Sequence, residues 1–156
     1  MTPIDIAILI AALGCALIGG LFFAFSTFIM RALAARPAAE GMAAMVSVNR
    51  VILPPPFMPV FFGAALLALF LGGWAVAVGG PGCRLTVAGA LLYLLGSIGV
   101  TMVWNVPLNN AIDRADPGED NQALWADYVR RWTRWNHVRT IASLAAATVF
   151  ILALAR

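Results

Sequence analysis

Four apolar stretches limit what this chain can become. Residues 4–30, 57–79, 85–108 and 122–155, the last apolar from Thr140 onward, are each long enough to cross a hydrocarbon layer, which takes ~20 helical residues. A segment inside that layer must satisfy its own backbone N–H and C=O groups, which a helix does without help. The sequence therefore predicts an all-α fold, an up-and-down bundle of four transmembrane helices forming a single integral membrane domain. Composition agrees: 62% of residues are hydrophobic and 11% charged, against about 45–50% and about 25% in soluble domains. The first span has no basic residue before it and is too long for the apolar core of a cleaved leader, so it is expected to remain as a helix.

The net charge of +3 rests on arginine alone, since no lysine occurs. Arg31, Arg36 and Arg50 lie between the first and second spans, and Arg114, Arg130, Arg131 and Arg134 between the third and fourth; the opposite side carries Arg84 and Arg156. By the positive-inside bias, both termini are expected to be periplasmic, in a bacterial inner membrane. Basic residues that flank spans instead of forming a soluble basic face argue against a nucleic-acid partner. Cys15 falls within the first span and Cys83 in a short outer loop, depths that do not suit a disulfide, and two isolated cysteines make no metal motif.

The first span repeats small residues at Ala12, Ala16, Gly20 and Ala24, a face that a neighbouring helix or a second copy of the chain could approach closely. At its inner end Phe22, Phe25 and Ser26 share a face. The phenylalanines read either as packing against core or lipid, or as an aromatic wall for a flat apolar ligand. Glu40–Val48 is expected to form a short interfacial helix with Met42, Met45 and Val46 on its apolar side. Asn49 follows, readable as a cap or turn residue or as part of a site. Three prolines, Pro54–Pro56, predict an extended lead-in, with the second span starting near Pro59.

In the third span Tyr93, Ser97, Thr101, Asn105 and Asn109 recur at steps of four, a polar stripe in an apolar helix. Exposing an amide to lipid costs several kcal/mol, so this stripe is expected to face the bundle interior. Asn105 by itself would read as glue between helices, and Pro107 predicts a bend beside it. The loop carboxylates Asp113, Asp116, Glu119 and Asp120 read as solvated surface. On the fourth span Trp125, Trp132, Asn136, Arg139 and Ser143 fall on one stripe, with His137, the only histidine, beside Asn136. Up-and-down topology brings these ends together in one inner layer. An arginine-and-tryptophan anchor at the interface accounts for Arg130, Arg131, Arg134 and Trp135; Asn136, His137 and Arg139 enter the apolar run and are less well explained by it.

GGLFFAFS (Gly19–Ser26), MVSVN (Met45–Asn49), NVPLN (Asn105–Asn109) and WTRWNHVRT (Trp132–Thr140) resemble, in order and spacing, the anthrone oxygenase family of small four-helix membrane proteins. One departure is Met30-Arg31, where the family pattern has a Met-Pro-Gly-like turn. The resemblance implies an oxygenase that takes a small apolar aromatic, an anthrone, to a quinone with dioxygen. Removing the benzylic proton of an anthrone gives an electron-rich enolate, so the protein would need a base and groups that stabilise an oxyanion. His137 is the natural base; Arg139, Asn136 and Asn105 would donate to the oxyanion; Trp132, Phe22 and Phe25 would clamp the rings, with Asn49, Asn109 and Thr101 lining the site. His137 lies ~100° around the helix from Asn136, which sets it against a shared cavity. No cofactor or metal is expected, a single histidine being too few ligands for a transition-metal site; a haem on His137 is the alternative. The contrasting reading is a non-enzymatic membrane protein that binds a quinone, lipid or partner helix, in which Asn105, Asn136 and Arg139 pair among themselves and leave no cavity.

Overall fold

In the computed structural model, which describes residues 1–116 and 120–156, five helices follow one another. These are α1 Pro3–Ala34, α2 Ala38–Val51, α3 Phe57–Val78, α4 Cys83–Asp113 and α5 Gln122–Leu154. All but α2 are long and apolar enough to cross a membrane. The fold is an all-α bundle of four such helices with α2 laid across one end. Helix α1 packs on α3 and α5, and α4 packs on the other side of the same two, so the four close into a ring. At about 1.5 Å per residue α5 is about 50 Å long, well beyond a hydrocarbon layer of about 30 Å. Its first turns therefore stand clear of the spanning bundle.

Two cores result. The larger fills the spans with Ala12, Cys15, Ile18, Ala68, Leu71, Tyr93 and Phe150, all buried. The smaller lies at the arginine-bearing end, where Met42 and Met45 of α2 meet Met30, Ile112, Trp125, Tyr128 and Trp132. Gly41 lets α2 settle there. A β-carbon at this position would stand 2.6 Å from the Leu33 carbonyl oxygen and 2.8 Å from the Trp125 ring. An exposed ion pair, Arg50 to Asp113 at 2.7 Å, ties the end of α2 to the end of α4. The outer turn between α3 and α4 uses Gly79, Gly80 and Gly82 at positive φ, as GGPG leads one to expect.

The helices run further than the sequence suggests. The first continues past Met30 to Ala34, α2 spans Ala38–Val51 instead of Glu40–Val48, and α3 starts at Phe57, two residues before Pro59. The last is accommodated because prolines near a helix start have no N–H to lose. Cys83 begins α4 and is buried, its thiol donating to the Gly79 carbonyl at 2.9 Å, instead of sitting in a surface loop; both cysteines are free. The close approach on α1 is made by Gly19, where a β-carbon would sit 2.8 Å from Leu144, while Gly20 is open. Steps of four advance 40° each around an α-helix, so the stripe Ala12, Ala16, Gly20, Ala24 winds off the buried face.

Two helices widen into π-turns, at Phe25–Ile29 in α1 and at Leu94–Gly99 and Thr101–Asn105 in α4. In the last of these the Val106 N–H reaches back five residues to the Thr101 carbonyl, immediately before Pro107, which has no N–H to give. The expected disturbance at Pro107 thus takes the form of a register shift that re-aims the side chains around it.

Because the Leu33 carbonyl cannot move independently of α1, Gly41→Ala should lower stability by about 1–3 kcal/mol. Gly63→Ala, where a β-carbon meets nothing within 4 Å, should not. Thermal unfolding in detergent followed by tryptophan fluorescence checks this; equal midpoints for the two variants would contradict the packing.

Candidate functional site

At the junction of the two cores the side chain of Arg139 is buried, 5% exposed. Asn136 sits one turn earlier on the same face, and its Oδ1 accepts from Arg139 Nη2 at 2.6 Å. The Asn136 amide in turn donates to the Phe22 carbonyl and to Ser26 Oγ, both at 2.7 Å. Ser26 also bonds Thr140 Oγ1 at 3.2 Å, whose hydroxyl donates to the Asn136 carbonyl at 2.8 Å. From the other side, Arg139 Nη1 donates to Thr101 Oγ1 at 3.1 Å, and Thr101 donates to the Ser97 carbonyl at 2.7 Å. The guanidinium lies over the Phe22 ring, 4.1 Å from its centroid, and 5.1 Å from that of Trp132. Both are cation–π distances.

Among the described residues no carboxylate answers this charge. The ion pairs among the described residues, Arg36–Glu40, Arg50–Asp113, Arg130–Asp127 and Arg131–Asp127, are all exposed. A buried unpaired ion carries a desolvation penalty of several kcal/mol, offset here by two neutral oxygens and two ring faces. Arg139 Nε has no partner, nor does Asn49 Nδ2 in the last turn of α2. Both residues line the same cavity, of about 130 Å³, walled by Phe22, Phe25, Met45, Phe57, Phe61 and Trp132 and bordered by Thr101 and Asn109. An open groove of about 560 Å³ past the Pro54–Pro56 segment adjoins it, sharing Leu21, Phe25, Val48, Ile52 and Phe57. A dry cavity of about 150 Å³ holds a single benzene ring, so the inner chamber is of one-ring size and a larger ligand would extend into the groove.

The residues singled out from sequence divide accordingly. Arg139, Thr101, Trp132, Phe22, Phe25, Asn49 and Asn109 line the cavity. Asn49 is helical there, not a turn residue. Asn136 and Asn105 do not line it: both Asn136 N–H groups are used as above, and the Asn105 amide donates to the Trp132 carbonyl at 3.3 Å, its Oδ1 being buried without a partner among the described residues. Neither therefore faces a ligand in the cavity, as the expected oxyanion donors would; Asn136 orients Arg139, and Asn105 ties α4 to α5. His137 is exposed and borders a different hollow with Arg31, Arg130 and Arg134. Two residues before Arg139, it points ~200° away from it, so it does not share the cavity as a base would need to. Glu119 lies outside the described residues; Asp120 accepts from the Gln122 N–H, and Asp113 pairs with Arg50. Among the described residues no three His, Cys, Asp or Glu side chains gather as a metal site would require.

Sequence reasoning missed Tyr128, whose hydroxyl donates to Asn109 Oδ1 at 3.0 Å beside the Trp132 indole N–H at 2.8 Å. Its spacing of four before Trp132 and eight before Asn136 was the available signal. It also missed Phe57 and Phe61, since a helix apolar all round does not show which rings turn inward.

These features define a membrane-type four-helix protein with a buried, carboxylate-free arginine facing a ring-lined cavity. The sequence profile described as anthrone oxygenase matches residues 57–149, and the chain belongs to that family. Trp132, Asn136 and Arg139 fall within the matched residues; Phe22, Phe25 and Asn49 precede them. No curated protein and no solved structure matches.

Removing the Asn136 side chain would take one hydrogen bond each from Ser26, the Phe22 carbonyl and the buried Arg139, leaving the guanidinium with Thr101 as its one oxygen partner. Asn136→Ala should cost about 2–4 kcal/mol of stability, and Tyr128→Phe, which leaves Trp132 on Asn109, about 1 kcal/mol. Thermal unfolding of the detergent-solubilised variants measures both; a reversed order would contradict the network.

Proposed function

We propose that the protein is a membrane-embedded oxygenase acting on a flat, apolar aromatic of the anthrone or quinol kind, with Arg139 stabilising the deprotonated substrate. The observation that carries this reading is a guanidinium buried without a carboxylate at the wall of an aromatic cavity. An anionic oxygen of a ligand supplies the missing countercharge, and rings of the ligand pack among Phe22, Phe25, Phe61 and Trp132. In a site shielded from water such an interaction is worth far more than at a surface.

For an anthrone, loss of a benzylic proton leaves an enolate whose oxygen faces Arg139. One electron passes from the enolate to dioxygen, and the radical pair closes a carbon–oxygen bond to give a peroxide. Protonation of the peroxide, loss of the second benzylic proton and cleavage of the O–O bond release water and form the new carbonyl. The sum is anthrone plus dioxygen to anthraquinone plus water. Among the described residues no carboxylate or imidazole lines the cavity, so catalysis in this reading rests on stabilising the conjugate base, with the proton leaving to water through the groove. No cofactor is required for that chemistry. Seven arginines at the α2 end, against Arg84 and Arg156 at the other, favour a bacterial inner-membrane protein with both termini periplasmic. A non-catalytic carrier of a quinone or lipid is the second reading, favoured by the way the Asn136 amide is closed off within the protein.

With an anthrone as substrate, Arg139→Gln should lower oxygen consumption by roughly 10²–10³-fold, the usual loss for one oxyanion donor. His137→Ala should leave it within about twofold of the parent, as expected of a side chain outside the cavity. An unimpaired Arg139→Gln enzyme would end this mechanism. Ligand-dependent quenching of Trp132 fluorescence without oxygen uptake would favour the carrier.

A further inference from the structure

The side of α5 turned away from the cavity carries its own arrangement. Val129, Arg130, Thr133, Arg134 and His137 form one stripe along the helix. With Met30, Arg31 and Ala34 of α1 opposite, they border an open hollow of about 380 Å³. Its rim is cationic and its floor, Met30 and Val129, is apolar. Arg31 and Arg134 make no ion pair among the described residues, and the Asp127 carboxylate is divided between Arg130 and Arg131. Thr133 Oγ1 is buried there without a hydrogen-bond partner.

The hollow's depth is marked on both sides. One turn beyond His137 the surface becomes apolar: Ile141 is 69% exposed, and on α1 Phe28, one turn before Arg31, is 61% exposed. Trp104, exposed, and Trp135, half-buried, stack at 4.0 Å near the same level, as aromatic residues do at a membrane interface. An arginine cluster between helices, at the border of a lipid-facing belt, has the chemistry of a phospholipid headgroup site.

We propose that this hollow binds the phosphodiester of an anionic phospholipid. The phosphate lies between Arg31 and Arg134, with His137 and Thr133 as further polar neighbours, and the acyl chains run along Ile141 and Phe28. Arginine suits the role because its planar donors meet phosphate oxygens in pairs. The apolar floor distinguishes a lipid from free phosphate, which would leave Met30 and Val129 uncovered. This assignment is independent of the reaction proposed for the inner cavity and gives the sole histidine a place outside it.

Native mass spectrometry of the full chain from mild detergent tests it, with phosphatidylglycerol or phosphatidylcholine added at equal mole fraction. Phosphatidylglycerol should be retained about tenfold over phosphatidylcholine, in keeping with two arginines at a headgroup. Combined Arg31→Gln, Arg134→Gln and His137→Gln substitutions should erase that preference. Arg84→Gln with Arg156→Gln, at the opposite end, should keep it. Equal retention of the two lipids by the parent protein, or an undiminished preference in the triple variant, overturns the assignment. Displacement of phosphatidylglycerol by millimolar inorganic phosphate would reassign the hollow to free phosphate and overturn the lipid. The substituted side chains are exposed, and an unchanged thermal midpoint verifies that the variant is folded; should it unfold, the parent's preference between the two lipids decides alone.

Discussion

A guanidinium inside a spanning helix, with no carboxylate among the described residues to neutralise it, is the constraint around which the inner end of this bundle is built. Two oxygens take the Arg139 charge, Oδ1 of Asn136 and Oγ1 of Thr101, and two ring faces cover the rest. Each acceptor is itself anchored, Asn136 on α1 through Ser26 and the Phe22 carbonyl, Thr101 on its own helix through Ser97. The charge therefore fixes how α1, α4 and α5 sit against one another, since sliding any of the three would leave a buried cation still less compensated. Neutral acceptors hold the arginine in place without cancelling its charge. That leaves the residual field available at the cavity wall, which supports a role in stabilising an anion.

Helix α2 covers this arrangement from the polar end. Gly41 lets it lie against the Leu33 carbonyl and Trp125, and from that position Met45, Val48 and Asn49 close the cavity from the polar end. The π-turns serve the same geometry, because an extra residue in the turn at Thr101–Asn105 sets the aim of the side chains that flank Pro107. Helix packing shapes most of the chamber, with Ile52 and Leu53 of the α2–α3 connection completing its wall, and the open groove beside Pro54–Pro56 adjoins it.

Membership of the anthrone oxygenase family and this geometry point the same way, with one change of emphasis from what residue types alone suggest. A histidine near a cluster of amides invites the role of general base. Its place on the far side of α5, among exposed arginines, moves the weight of the proposed chemistry from proton abstraction by the protein to electrostatic stabilisation of the substrate's conjugate base. Under these two proposals the same helix carries separate roles on opposite faces, an inner arginine for a ligand's charge and outer arginines for a lipid's.

Hydrophobic run length alone determined the helical class and the four spans, because a bilayer admits so few ways of satisfying a backbone. The inward stripe of Thr101, Asn105, Asn136 and Arg139 was equally legible, since helical period converts spacing into direction and polar groups avoid lipid. What spacing cannot convey is which of the inward residues meets a partner and which meets a void. Asn136 and Arg139 look alike on the stripe. Only the approach of Phe22 and Ser26 from a helix more than a hundred residues away consumes the Asn136 donors and leaves Arg139 at the wall. Phe57 and Phe61, on a helix without a polar face, likewise join the cavity only where α3 packs on α1 and α4, Phe61 meeting Phe22 and Tyr93 edge-on, a long-range event that no local pattern records.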